Sequence, residues 1–401
     1  MVSNNSKTKK CKKVVLAYSG GLDTSVAIRW LLENKATSII ALAIDLGQGD
    51  ELKPIQKKAL QVGASESLVI DARDEFIKDF VWPALFANAI YGEYPLATAL
   101  ARPLIAKLLV QVAKKKKADA IAHGCTGKGN DQVRFDVSTM ALAPHLKIIA
   151  PAREWNMTRE QSIEYAKKYN IPIPVKKKSP YSVDLNLWGR SIECGVLEDP
   201  LKEPPENAYA LTNSPKKAPS TPVYLTVGFK NGVPVTLNGK KLSGLKLIQS
   251  LNKLAGKHGV GRIDQIENRV IGIKSREIYE APAAHVLWKA HKDLESMVHT
   301  RETILFKSLL DQKYSQLVYD GRWFNPLREA IDEFNKTIQK RVTGTIRIKL
   351  YKGSATVVGR KSSYSLYNKK LATYGKGDTF DRSSAEGFIK LFGLDLQTIN
   401  R

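Results

Sequence analysis

Residues 17–25 read AYSGGLDTS and stand between two apolar runs, Val14-Val15-Leu16 before and Val26-Ala27-Ile28 on to Leu31-Leu32 after. The order predicts a strand, a tight glycine turn and a helix. Gly20 and Gly21 have no Cβ, so they accept strained dihedrals and let a ligand come close to the backbone. The first N–H groups of a helix lack intrahelical partners and carry the positive end of its dipole. Such a place binds phosphate. Ser19, Thr24 and Ser25 add hydroxyl donors to the same nest. Neither GxxxxGKS/T nor GxGxxG is present, so this is neither a Walker A loop nor a dinucleotide fingerprint. A plain turn would explain a bare Gly-Gly, but not the flanking Ser and Asp-Thr-Ser.

A second dense stretch, HGCTGKGNDQVRFD, covers residues 123–136. Gly124, Gly127 and Gly129 allow backbone N–H groups to face an anion. Thr126 and Asn130 supply neutral polar groups, Asp131 a carboxylate, and Lys128 and Arg134 cations. Asn130 and Arg134 are four apart, hence on one face of a helix. His123 is a candidate general base, with a histidine satisfied by backbone as the competing reading; sequence alone assigns no base.

The elements that must position these loops alternate. Strands are expected at 38–45, 67–72, 118–122 and 147–152, and helices at 54–62, 75–89, 101–116 with Pro103 in its first turn, and 131–143. Thr158 and Gln161 form a capping box for a helix to Tyr169. The fold class is therefore α/β, with an N-terminal parallel sheet covered by helices on both faces. Ligands of such sheets sit at the carboxyl ends of the strands, where both glycine stretches fall. IPIPVKKKSP, 171–180, breaks the pattern and marks a boundary. Beyond it come an α+β region with a hairpin turning at Asn231-Gly232, helices at 245–255, 283–299, 301–317 and 326–339, and strands on either side of Gly353. The tail holds a short amphipathic stretch, 385–392, expected to pack on another subunit.

With 401 residues and 43% hydrophobic content, the chain has material for more than one domain. Lys+Arg 63 against Asp+Glu 39 gives a net charge of +24. A basic chain attracts polyanions, ATP and dicarboxylates. The lysine runs at 114–117 and 176–178 read as solvated faces, because no interleaved aromatic pattern accompanies them, and no nucleic-acid partner is expected. Cys11, Cys125 and Cys194 have no metal or disulfide spacing and are read as reduced thiols of a cytoplasmic protein. No run reaches membrane-spanning length and no secretory h-region is seen.

AYSGGLDTS resembles the pyrophosphate-binding PP-loop of enzymes that split ATP between its α and β phosphates. Together with HGCTGKGNDQVRF, ALARPLIAK (99–107), IPIPV (171–175), LEDP (197–200) and the long string 255–283, it resembles the argininosuccinate synthases. That resemblance implies an AMP-forming ligation of citrulline to aspartate through a citrullyl-adenylate, with ATP as substrate and Mg²⁺ beside it, no private metal site, and a homotetramer. It implies a HUP-like nucleotide-binding domain over 1–172, a synthetase domain over 173–362 and an oligomerisation tail over 363–401. Ala17, Tyr18, Ser19, Gly20, Gly21, Leu22, Asp23, Thr24, Ser25, Ala43 and Gly124 would contact ATP. Thr126, Asn130 and Asp131 would hold aspartate, Asp131 facing its ammonium group. Citrulline would meet Tyr94, Asn130, Arg134, Ser182, Ser191, Glu267 and Tyr279. Arg134 suits an α-carboxylate; Glu267 suits either an α-ammonium or the ureido nitrogens. Ala99 departs from relatives that carry serine there, which leaves Thr98 or backbone to replace the hydroxyl. The alternatives are a PP-loop enzyme that adenylates a base in tRNA, and a non-catalytic nucleotide-binding module.

Overall fold

The structure is a computed structural model and describes residues 10–49, 52–155, 157–172 and 180–399. Strands β1 (Val14–Ala17), β2 (Ile39–Asp45), β3 (Glu66–Asp71), β4 (Ala120–Ala122) and β5 (Lys147–Ile149) form a parallel sheet in the order β3-β2-β1-β4-β5. The runs VVLA, IIALAID and AIA are almost wholly buried, as a sheet covered on both faces requires. Alternate residues feed two cores: Val14, Leu16, Ile39 and Ala41 one, and Val15, Ile40 and Leu42 the other. The second core runs on without a break into Leu225, Val227, Leu287 and Ile346 of the C-terminal half.

Strands β6 (Ser182–Asn186) and β7 (Gly189–Glu193) pair with β11 (Arg262–Asn268) and β12 (Lys274–Glu280) in an antiparallel sheet ordered β11-β12-β7-β6. Between them, β8 (Val223–Lys230), β9 (Val233–Leu237) and β10 (Lys240–Lys241) join β13 (Gly344–Tyr351) and β14 (Ser354–Lys361) in the order β10-β9-β8-β13-β14. The predicted hairpin turn is present, with Asn231 and Gly232 both at positive φ. The predicted capping box of Thr158 and Gln161 also forms.

Several boundaries move. The helix expected from Ala101 spans Ala97–Lys116, so Pro103 lies inside it rather than in its first turn. The earlier start has a local cause: Leu96 is left-handed, and the Thr98 N–H donates to the Tyr94 hydroxyl at 2.6 Å. The strand expected over 147–152 stops at Ile149, because Pro151 opens a short helix, Pro151–Glu154. The helix expected over 75–89 is helical from Arg73 to Phe86, with a wider turn at Ile77–Val81 just ahead of Pro83. Strands β6, β7, β11 and β12 have no counterpart in the sequence reading. Most of the 171–180 break, including Lys176–Lys178, lies outside the described residues.

Helices Ser383–Phe392 and Leu394–Ile399 carry Phe388, Ile389, Leu391, Phe392, Leu396 and Ile399 on exposed surface. Among the described residues no helix is long and apolar enough to cross a membrane.

Gly261 fixes where β11 starts and where β12 hands over to the helix Pro282–Val298. It sits at φ +96°, and an added Cβ would fall 2.7 Å from the backbone of Ala281 and Pro282. Gly261→Ala is expected to destabilise the fold by about 1–3 kcal/mol, read as a lowered unfolding midpoint. An unchanged midpoint would show that this junction yields.

Candidate active site

The chain leaves β1 toward β2 and β3 on one side and returns through β4 and β5 on the other, so the sheet reverses between β1 and β4. A crevice opens at such a point outside the carboxyl ends of the strands. Both glycine stretches lie there. The first runs from Ala17 through Gly20, at φ +77°, to the helix Leu22–Asn34. It is braced from within: Ser19 and Thr24 hydroxyls meet at 3.1 Å, Ser25 Oγ donates to the Gly21 carbonyl at 2.7 Å, and Tyr18 Oη lies 3.1 Å from Ser25 Oγ. Lys58 Nζ donates to the Gly20 carbonyl at 2.8 Å and adds a cation beside the loop; burial pushes its pKa down. Ala43 is buried on β2, one strand over, beside Leu42, whose carbonyl accepts the Tyr18 N–H.

The second stretch follows β4 and opens the helix Asn130–Leu142. A Cβ placed on Gly124 would lie 3.1 Å from Thr24 Cγ2, so the two loops touch. His123 is buried: its Nδ1 accepts the Cys125 N–H at 3.3 Å and its Nε2 lies 2.8 Å from Asp136. Both ring nitrogens are engaged, one by a backbone N–H and one by the Asp136 carboxylate. Cys125 is half-buried, with its thiol pushed up by burial and by Asp131.

Asp131 accepts from Arg102 Nε at 2.8 Å and from Arg134 Nη1 at 2.9 Å. Burial opposes its charge, but Arg102 and Arg134 outweigh burial and hold the carboxyl below the ordinary range. Arg102 reaches on to Asp184 of β6 at 2.5 Å. Arg134 Nε donates to the Tyr319 carbonyl at 3.0 Å. Asn130 donates to the Tyr319 hydroxyl at 3.0 Å and accepts the Val270 N–H at 2.8 Å, which fixes the orientation of its amide.

Across the crevice stands one face of the antiparallel sheet. Pairings Ser182–Glu193, Asp184–Ser191, Ser191–Tyr279, Gln265–Glu277 and Glu267–Ser275 put all these residues on the same side. The opposite side carries Ile192 and Ile278 into a small core with Leu197 and Ala208. Glu267 is buried at the centre of the polar face, accepting from Tyr279 Oη at 2.6 Å, Tyr319 Oη at 2.7 Å and Gln265 Nε2 at 2.8 Å. Tyr94 stacks on Tyr279 with centroids 3.7 Å apart, and Tyr91 on Tyr319 at 3.9 Å. Burial keeps the hydroxyls of Tyr94, Tyr279 and Tyr319 protonated; those of Tyr279 and Tyr319 donate to Glu267, whereas that of Tyr94 accepts the Thr98 N–H. Ser191 Oγ lies 3.3 Å from Thr98 Oγ1, whereas Ala99 is fully buried. Ser182 is exposed on the edge strand β6.

The polar network thus links Tyr94, Asn130, Asp131, Arg134, Ser191, Glu267 and Tyr279, with Ser182 at its rim. Sequence reading missed Lys58, Arg102, Asp184, Tyr319 and the group Arg269, Glu193 and Glu277. Arg102 was within reach, since it lies in the quoted ALARPLIAK segment and is a cation in the middle of a largely apolar helix. Tyr319 carried no local signal.

Family models match most of the chain: the arginosuccinate synthase N-terminal HUP domain over residues 13–172 and the arginosuccinate synthase C-terminal domain over residues 181–399. The chain is 59% identical to an argininosuccinate synthase of Synechococcus elongatus over 96% of this chain and 97% of that one. It is 58% identical to those of Synechocystis sp. (96% and 97% covered) and Nostoc punctiforme (98% of each). Among solved structures, a U34-tRNA thiolase NcsA from Methanococcus maripaludis aligns at 19% identity over 43% of this chain and 61% of that chain, with a TM-score of 0.28. That likeness is too slight to carry an argument.

Glu277 holds its proton up to about 7, against 4.5 ordinarily, because burial and then Glu193 disfavour its charge. The folded state binds the extra proton between those values, so stability falls as pH rises through that window. Glu277→Gln is expected to melt higher than the parent at about pH 8 and level with it near about pH 5. A variant that melts lower at the higher pH would show that the ion pair with Arg269 outweighs the burial.

Proposed function

Since the chain belongs to the argininosuccinate synthase family and joins citrulline to aspartate using ATP, we propose that its three substrates are divided between the two glycine loops and the polar sheet face. The observation that carries this division is the contact between Gly124 and Thr24, which makes one crevice of two loops. Ala17 to Ser25, with Ala43 and Gly124, hold ATP, the hydroxyls and helix N-terminus gripping the β and γ phosphates as the departing pyrophosphate. Mg²⁺ travels with the nucleotide, and phosphate and water oxygens supply most of its ligands.

Citrulline lies against the sheet. Arg134 receives its α-carboxylate and Glu267 its α-ammonium, while Tyr94, Tyr279, Ser191, Ser182 and Asn130 bound the side chain. Thr98, bonded to Ser191, stands in for the hydroxyl absent at Ala99. The ureido oxygen attacks the α-phosphate and pyrophosphate leaves. The aspartate amine, held by Thr126, Asn130 and Asp131, then attacks the activated carbon and AMP departs. Orientation and electrostatic stabilisation supply the catalysis. We place the nucleotide-binding part at 1–172, the synthetase part at 173–362 and an oligomerisation tail at 363–401. The break between the family models at 172 and 181 supports the first boundary. The exposed apolar side chains of the tail support a homotetramer in which tails are exchanged. A cytoplasmic location accords with the three unpaired cysteines.

With ATP, Mg²⁺, citrulline and aspartate, the protein is expected to release AMP and pyrophosphate in equal amounts and to need both amino acids for net turnover. ADP and phosphate would refute the cleavage site. Truncation after residue 362 should lower the number of chains per particle in light scattering; a truncated protein that stays tetrameric would refute the role of the tail.

A further inference from the structure

Arg269 has no part in the division of substrates given above, yet it is among the most heavily bonded side chains of the crevice. It is the first residue beyond β11, in the turn that leads to β12. Its Nε donates to Ser275 Oγ at 2.8 Å. Its Nη2 donates to Glu193 Oε2 at 2.6 Å and Glu277 Oε1 at 2.8 Å. Its Nη1 crosses to the other wall and donates to the Lys128 carbonyl at 2.9 Å. The next residue, Val270, donates its N–H to Asn130 Oδ1 at 2.8 Å. One turn of the citrulline-bearing sheet therefore holds the second glycine loop at two points.

That loop needs holding. Residues 123–129 form neither strand nor helix, and a Cβ on Gly127 or Gly129 would meet nothing closer than 3.8 Å. Packing alone therefore leaves its middle loosely placed. The first glycine loop differs, because Ser19–Thr24, Ser25–Gly21 and Lys58–Gly20 brace it without help from the sheet. Only a guanidinium, planar and with donors facing several ways, reaches Ser275, two carboxylates and a carbonyl together. Glu277 is buried beside the half-exposed Glu193, and two neighbouring carboxylates are costly unless a cation sits between them; Arg269 is that cation.

We propose that Arg269 is a positioning residue for the second half-reaction: it ties the 123–130 loop to the citrulline-bearing sheet and so sets the distance between the aspartate amine and the activated ureido carbon. The assignment rests on the reading of Thr126, Asn130 and Asp131 as the aspartate site. Adenylation, which depends on the independently braced first loop, is left largely alone.

The test compares two rates in full-length protein: citrulline-dependent exchange of pyrophosphate into ATP without aspartate, and AMP release as aspartate is varied. Arg269→Ala should lower kcat/KM for aspartate about 100-fold while exchange stays within about threefold. Arg269→Lys keeps the charge but cannot meet both carboxylates and the Lys128 carbonyl, so it should still lose at least about tenfold, and it carries the comparison if the alanine variant does not fold. Equal losses in both rates, or full recovery with lysine, would overturn the proposal. Asp131→Ala separates the two levels of the argument. Normal aspartate kinetics in Asp131→Ala would remove the reading of the loop. A defect there with normal kinetics in Arg269→Ala would remove the tether alone.

Discussion

Parallel pairing of β1 with β4, Val14 beside Ala120 through Leu16 beside Ala122, brings two loops far apart in sequence to one edge of one sheet. The pairing follows from right-handed crossovers that fill one side of β1 and then the other, which leaves a gap in the helical layer where the direction reverses. Strands so short hold this position because they are buried on both faces, with the two cores sharing alternate residues. The two loops are then neighbours without any special device. A slip in this register would turn core residues of β1 and β4 onto the wrong faces, so the same burial that stabilises the sheet also sets the site.

The opposite wall follows a different physics. The β11-β12-β7-β6 sheet presents carboxylates, hydroxyls and amides to the crevice, where other sheets present Val and Ile. Burying such groups is tolerable only when each has partners. Glu267 has three donors, Asp131 two guanidinia, and Arg269 four acceptors. Breaking one member strands the rest, so these residues behave as a unit, and the raised pKa of Glu277 shows how far compensation falls short there. Stability given up in this wall is the usual correlate of a site built to meet charged ligands.

Helix Arg301–Tyr319 links the two walls at its end. Its last residue touches Asn130 and Arg134 on one side and Glu267 on the other, with its ring stacked on Tyr91. The geometry of both walls of the crevice therefore depends on where one helix stops.

The chain's local order determined a good deal by itself. Apolar runs set between glycine turns and amphipathic stretches dictated the parallel sheet, and the glycines after Val14–Ala17 marked the turn that opens the helix Leu22–Asn34, because both depend on residues adjacent in sequence. Asn130 and Arg134 shared a face for the same reason. Strands β6, β7, β11 and β12 were not legible: SVDLN, GRSIE, RIDQIEN and KSREIYE alternate, but the face turned to the crevice is largely polar and the other buries few apolar residues, Ile192 and Ile278 among them, so the hydrophobic period that marks a strand is weak. The partners of Asp131, the bridging of Tyr319 and the reach of Arg269 to Lys128 were decided only by the tertiary structure, since each joins segments whose separation is fixed by packing and leaves no trace in local spacing.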